Sequence, residues 1–398
     1  MLQEIPCMIL RGGTSKGLYF LEKDLPPAGE IRDQVLLRVM GSPDARQIDG
    51  LGGATSVTSK VAILAPSSRE DADVDYTFAQ VSVDKALVSY AGNCGNISSG
   101  VGPFAIESGL VHAQDPQTTV RIFNTNTQKV MVEAISTPGG IVNYSGDFSI
   151  AGVPGTAAPV KIVVTNPGGT VCSALLPTGN AVDLLSVPGI GTIHASFVDA
   201  TNPLVFVLAD EIGMNGTELP SDIDIDQQLL ARLETIRGTA AQYIGLVDDY
   251  KQSAWKTPGV PKLTIVSPPQ DYITSNGTLI KADQIDLCSR MMSMQKTHPT
   301  YAMTGAMCTA AAAAIPGTLV DQVSRKDRKA DRLRTGHPNG IIESGADYVI
   351  QPDGMVDVTA TYGYRTARLL AKAVACYPQE DVGTSRSVSA DVEKRTTV

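Results

Sequence analysis

Ile5–Pro26 reads IPCMILRGGTSKGLYFLEKDLP, and Ile193–Gly213 reads IHASFVDATNPLVFVLADEIG. Each runs from an apolar strand through a polar turn into a second apolar strand and then an acidic turn, the pattern of a β-hairpin. The likeness continues in order along the chain. Asp33–Arg38 parallels Asp226–Arg232 as a short amphipathic helix. Gln47–Leu51 parallels Gln242–Leu246, Lys60–Pro66 parallels Lys262–Pro268, and Asn93–Val111 parallels Thr304–Val320. The offset between partners grows steadily, as a duplication with insertions in its second copy would make it.

Each copy therefore predicts several strands and one helix of small residues, at Gly100–Gly109 and Thr309–Ile315. Both helices lack a charged face, so both are expected to be buried and wrapped by strands. The fold class that follows is α+β, in two pseudo-symmetric halves. The first half is read as residues 1–184 and the second as 185–376. A strand at Met355–Tyr364 and a helix at Ala367–Cys376 are expected to close the second half, either of which could cross back to the first. Residues 377–398 read as a tail of low apolar content. The cleft is expected between the halves, where the two helix N-termini face each other.

Bulk properties agree with this reading. Of 398 residues, 43% are hydrophobic and only 5% aromatic, with 37 Gly and 24 Pro, which favours many turns and short strands over a helical bundle. The formal net charge of −9 and the lack of a basic, aromatic-interleaved face argue against nucleic acid. The one basic run, Arg325–Arg334, carries its own aspartates and reads as a solvated helix or loop. No signal peptide and no apolar run long enough for a membrane is present, so a cytoplasmic location is expected. None of the six cysteines forms a C-x-x-C pair or lies at zinc-ligand spacing from a histidine, so neither a metal site nor a disulfide framework is expected.

Five groups of residues could carry chemistry. In Asn93-Cys94-Gly95-Asn96 a cysteine stands where a helix begins, where backbone N–H groups favour a thiolate or a bound carboxylate. The competing reading is a small thiol packed under a turn. Cys308, in Thr304-Gly305-Ala306-Met307-Cys308, is its counterpart in the second copy and could face it across the cleft, or be core. Lys60 opens an apolar strand after the Gly50–Gly53 loop and could be a desolvated general base, or a strand-end lysine reaching solvent. Lys262 is its counterpart. Arg11-Gly12-Gly13-Thr14-Ser15-Lys16-Gly17 has the residues of an anion-cradling turn, with Arg11, Ser15 and Lys16 as candidate donors; a plain hairpin tip is the alternative. In the second copy, Ser293, Met294 and His298 lie in SMQKTH, and His337 lies in GHPNG.

Seven stretches together resemble the PrpF family: RGGTSKG (Arg11–Gly17), GSPDARQIDGLGGA (Gly41–Ala54), TSKV (Thr58–Val61), NCGN (Asn93–Asn96), LPTGN (Leu176–Asn180), DATNP (Asp199–Pro203) and TGAMC (Thr304–Cys308). The resemblance runs from about residue 4 to 376. It implies the diaminopimelate-epimerase-like fold, in which each half is a helix cradled by strands. It implies an isomerase that moves a proton across an allylic system activated by carboxylates, without metal or organic cofactor. The family's acids include 2-methylaconitate, methylitaconate, aconitate and 4-oxalomesaconate. The short segment Gly41–Gln47 is more similar to the oxalomesaconate tautomerases, a form the aconitate isomerases share. By resemblance Lys60 and Cys94 are the catalytic pair. The substrate-binding candidates are Arg11, Ser15, Lys16, Asn93, Gly95, Asn96, Lys262, Ser293, Met294, His298, Thr304, Gly305 and Cys308. An amino-acid racemase using Cys94 and Cys308 as two bases, and an accessory protein for a dehydratase, are the competing functions. A small polycarboxylate is the expected partner; pairing of two chains as a homodimer is left open.

Overall fold

Alternating apolar side chains shape β1 (Leu2–Gly12) and β2 (Ser15–Leu21), and Gly13, at φ 53°, makes the turn between them. This is the first hairpin of a computed structural model that describes residues 1–90, 94–329, 332–352 and 356–379. In the first half it is followed by α1 (Glu30–Met40), β3 (Lys60–Pro66), β4 (Val74–Val81), α2 (Gly95–Ser98), α3 (Val101–Glu107), β5 (Gln117–Asn124), β6 (Lys129–Ser136) and β7 (Pro159–Thr165). The second half brings β8 (Gly191–Asp199), β9 (Pro203–Leu208), α4 (Gln227–Tyr243), β10 (Lys262–Ser267), β11 (Leu287–Ser293), α5 (Met303–Ala314), β12 (Leu333–His337), β13 (Gly340–Ile350) and the long β14 (Val356–Pro378).

The pairing pattern repeats. In the first half β1–β2 is antiparallel, β2–β3 parallel, β3–β4 antiparallel, β4–β5 parallel, and β5–β6 and β6–β7 antiparallel. The second half runs through the same sequence from β8–β9 to β13–β14. β14 then pairs with both β7 and β1, which closes the first half into a ring of strands. At the matching place in the second half, a bridge joins Gly168 to Ala200.

Each ring encloses its small-residue helix. Ile97, Val101, Phe104 and Ala105 pack among Leu10, Tyr19, Leu64, Ile122 and Ile162. Ala306, Cys308 and Ala310–Ala313 pack among Val198, Leu204, Phe206, Leu287 and Ile342. A helix surrounded by strands has no solvent face to carry charge, which is why neither helix has one. The amphipathic helices α1 and α4 cover the outer faces, on Phe20, Val61 and Ile63 and on Phe197, Val205 and Ile265 respectively.

Three sequence expectations are corrected. Ala367–Cys376 is not a helix but the C-terminal part of β14. Its Ala- and Leu-rich composition favours a helix locally, but β1 needs a partner, and long-range pairing from Leu2↔Pro378 to Gly12↔Ala367 wins. For the same reason residues 377 and 378, assigned to a tail, are paired; residues 380–398 lie outside the described residues. The first buried helix runs over Val101–Glu107, within the expected Gly100–Gly109, and a separate short helix, Gly95–Ser98, precedes it. The second begins at Met303, six residues earlier than expected. Residue 184, where the first half was expected to end, lies in a short strand, Asp183–Val187, that pairs with β8.

Candidate active site between the two halves

Lys60 begins β3 and is only 8% exposed. The loop before it is tied down by Gln47, whose buried side-chain amide donates to Ser42 Oγ and Ser59 Oγ and accepts from the Ala54 N–H. That is the structural work of the Gly41–Ala54 motif. The Lys60 ammonium donates to Gln80 Oε1 at 2.6 Å and lies 5.2 Å from the centroid of the Phe78 ring. Gln80 is held by its own donation to the Ser59 carbonyl at 2.8 Å, which fixes its oxygen toward Lys60. Among the described residues, no carboxylate neutralises this lysine.

Cys94 is the residue before α2 and is half-buried; Asn93 lies outside the described residues. Asn96 Oδ1 accepts from the Thr14 N–H at 3.3 Å and from Arg365 Nε at 3.1 Å, joining the RGGTSKG turn, α2 and β14 at one point. Ser15 lies on the same face of β2 as Gly17 and Tyr19, both of which touch Ile97 of α2. Its buried Oγ has no protein partner. Lys16, by contrast, is half-buried on the alternate face, with its backbone N–H bonded to the Val57 carbonyl.

The N-termini of α2 and α5 face each other. A Cβ on Gly95 would lie 3.1 Å from Met303 Cβ and 3.8 Å from Thr304 Cγ2, so glycine there permits the approach. Gly305 serves packing in the same way: a Cβ would lie 2.3 Å from Met291 Cε. Neither helix has a side-chain cap, so the first N–H groups of α5, around Thr304, are available to an anion.

The second half supplies a matching lysine. Lys262 opens β10 as Lys60 opens β3, and its Nζ donates to Ser293 Oγ at 3.3 Å and to the Gly259 carbonyl at 3.2 Å. Burial, reinforced by Arg237, pulls its pKa down to about 8. His298, beside it, is pushed down to about 4 by burial and then by the Lys262 charge. Its Nδ1 accepts from the Thr300 N–H at 3.1 Å, which assigns the proton of the neutral ring to Nε2. Between them the turn Ser293–Lys296 holds Met294 and Gln295 at φ 55° and 59°. Left-handed backbone in two successive non-glycine residues is strained, and strain of this kind collects at functional sites. Met294 is largely exposed, and its sulfur would touch a Cβ placed on Gly259.

Sequence reasoning missed Arg365. It lies in β14, is 6% exposed, and is bonded to Asn96 and, through Nη1, to the Tyr364 carbonyl. Its other terminal nitrogen has no protein acceptor among the described residues. Burial draws its pKa down to about 10 without discharging it at neutral pH. Only the crossing of β14 between the halves brings it to α2, and no motif spacing signals that. Arg365, Thr14, Thr300, Tyr301 and His337 line a cavity of about 490 Å³ between the halves. Neither Lys60 nor Cys94 lines it. The cavity reaches the helix ends through Thr14 and Arg365, the two partners of Asn96.

Two sequence candidates stand elsewhere. Cys308 is fully buried in the second ring; its thiol donates to the Val198 carbonyl, and burial pushes its pKa well up. Because α5 starts at Met303, the position matching Cys94 is Ala302, and Cys308 lies more than a turn deeper in the core. Arg11 spends one nitrogen on the carbonyls of Gly13 and Thr366 and lines a separate cavity.

Comparison with known proteins fits this arrangement. The chain is 48% identical over 365 residues, 92% of its length and 94% of the relative's, to the 3-methylitaconate isomerase of Eubacterium barkeri. It is 42% identical over 385 residues to the 4-oxalomesaconate tautomerase of Pseudomonas putida, covering 95% of this chain and 98% of that one. Its structure matches a crystal structure of methylitaconate-delta-isomerase with a TM-score of 0.87 at 46% identity, over 97% of this chain and 99% of the other. A hydroxyproline epimerase from Agrobacterium vitis shares the fold at 12% identity, with a TM-score of 0.55 over 94% of this chain and 92% of that one. The fold is diaminopimelate-epimerase-like. The description "PrpF protein" matches residues 2–376, and with relatives this similar along nearly its whole length, the chain belongs to the PrpF family.

Proposed function

We propose that this isomerase of the PrpF family catalyses an allylic 1,3-proton shift in a small unsaturated polycarboxylic acid, with Lys60 as the base. The observation that carries the reading is a buried lysine whose ammonium has, among the described residues, only the neutral amide of Gln80 as hydrogen-bond acceptor, beside two uncapped helix N-termini. In its neutral form Lys60 takes a proton from the carbon next to the double bond. The electron pair left behind moves into the conjugated carboxylate or keto group, giving a dienolate. Delivery of a proton from the resulting ammonium, whose N–H positions exchange with solvent, to the carbon two positions away moves the double bond and regenerates the neutral base, so nothing is oxidised or reduced. The α5 N–H groups, Arg365 and Lys262 hold the negative charge as it spreads, the contribution from which most of the rate is expected. Cys94, at the head of α2, is the second candidate to return the proton.

Three anchoring groups, Lys262, Arg365 and the head of α5, suit a substrate with three carboxylates. With the short Gly41–Gln47 segment, this favours 4-oxalomesaconate. The higher identity to a 3-methylitaconate isomerase favours that dicarboxylate as the second reading. The racemase reading needs two thiols across the cleft, and Cys308 is not there.

The test is proton NMR in deuterium oxide with 4-oxalomesaconate, cis- and trans-aconitate, 2-methylaconitate and 3-methylitaconate, with Lys60→Ala run in parallel. Conversion of one acid with deuterium uptake, reduced at least about a thousandfold in the variant, is expected. If no acid exchanges, or if Lys60→Ala turns over normally, the proposal fails.

A further inference from the structure

Arg11 and Arg368 are directly opposite each other on the antiparallel pair β1–β14. Like charges in that relation repel, and a sheet normally separates them or supplies an acid between them. Here no acid is supplied. Arg11 Nη1 is used on backbone carbonyls and Thr366 Oγ1, and Arg368 is exposed. Among the described residues neither guanidinium has a carboxylate partner. Glu107, whose charge acts on the Tyr144 hydroxyl, is paired with Lys372 at 2.9 Å.

The two arginines open into a cavity of about 570 Å³ that has no acidic residue in its wall. Tyr144 lines the same space, and its buried hydroxyl has no hydrogen-bond partner. Two guanidiniums without a carboxylate partner and an unpaired phenol that share one cavity have donors for an anion, Arg11 through the nitrogens other than the Nη1 already spent on Gly13 and Thr366. The Arg11 pKa is drawn down by burial and by Arg368, consistent with the absence of a compensating charge.

We propose that this cavity, which Arg11 of the RGGTSKG turn lines and Lys60 does not, is a second anion site that takes a small dianion, either a dicarboxylate or inorganic phosphate. Each guanidinium meets one anionic oxygen, and the Tyr144 hydroxyl donates to a third acceptor. The site is not isolated from the cleft. Ile150 lines both cavities, and Thr366, which Arg11 holds, is next to Arg365. An occupant would therefore bear on the wall and the arginine of the cleft from behind.

Isothermal titration calorimetry of the full chain with succinate, and separately with phosphate, tests this at neutral pH. The wild-type protein is expected to bind one equivalent at this cavity in addition to any bound in the cleft. Arg368→Ala should weaken that equivalent by about tenfold or more, and Tyr144→Phe should weaken it less. Lys60→Ala should leave it in place, so failure of the isomerase reading would not be mistaken for failure of this one. The anion with the larger affinity identifies the source. The proposal is overturned if the wild-type protein shows no equivalent sensitive to Arg368→Ala, or if acetate binds as tightly as succinate.

Discussion

Replacing Lys262 by methionine separates what this lysine costs the fold from what it gives the site. A pKa drawn from 10.5 to about 8 means that the charged form is disfavoured in the folded protein by up to roughly 3 kcal/mol at neutral pH. Methionine removes that cost and keeps most of the volume. It also removes the bonds to Ser293 Oγ and the Gly259 carbonyl, which returns about 1 kcal/mol. The net expectation is a gain of about 2 kcal/mol at pH 7. The sign depends on pH. Below about 8 the lysine is protonated both folded and unfolded, and the full cost is present. Between about 8 and 10.5 the folded lysine is neutral while the unfolded one still binds a proton, so wild-type stability rises with pH across this window. The advantage of Lys262→Met should therefore shrink from pH 7 to pH 10, as read by urea unfolding at both. Activity should move the other way. Losing a cation that holds a carboxylate should raise KM by about ten- to a hundredfold, and the wild-type kcat/KM should fall as pH passes about 8. A variant less stable at pH 7 with unchanged KM would refute the reasoning, because Lys262 would then be a structural anchor.

Two further predictions follow from the buried groups. Cys308→Ala should keep turnover within about threefold and cost about 1 kcal/mol of stability; a loss of activity comparable to that of Lys60→Ala would return Cys308 to the chemistry. Glu133 is buried in the first ring, accepts from the Gly102 N–H, and is raised to about 8 by that burial. Since the folded carboxyl holds its proton from about pH 4.5 to 8 while the unfolded one loses it, wild-type stability should fall across that range. Glu133→Gln should flatten the dependence, and an unchanged slope in urea unfolding at pH 5 and 8 would contradict it.

The duplicated order of strands, the two small-residue helices and the Lys60–Lys262 pair were all legible in one dimension. They rest on periodicity and on local order, and a repeat displays both. The bounds of the helices were less so, because Gly and Ala runs set burial but do not mark a first turn. That six-residue difference at Met303 decided between the two readings of Cys308, facing thiol or core, in favour of core. The strand Val356–Pro378 was misread over its second part because its partner, Leu2–Gly12, lies at the other end of the chain.

The linear chain, then, determined the repeated order of elements, the enclosure of a charge-free helix in each half, and the lysine at the head of an apolar strand, since each depends on neighbouring residues and the pattern of apolar side chains. Only the tertiary structure decided that Arg365 reaches Asn96, that Arg11 faces a different cavity with Arg368, and that Cys308 is core, with Ala302 at the head of its helix. Those outcomes depend on one long strand crossing between the halves, and the residues it brings together are hundreds of positions apart, where no local pattern connects them.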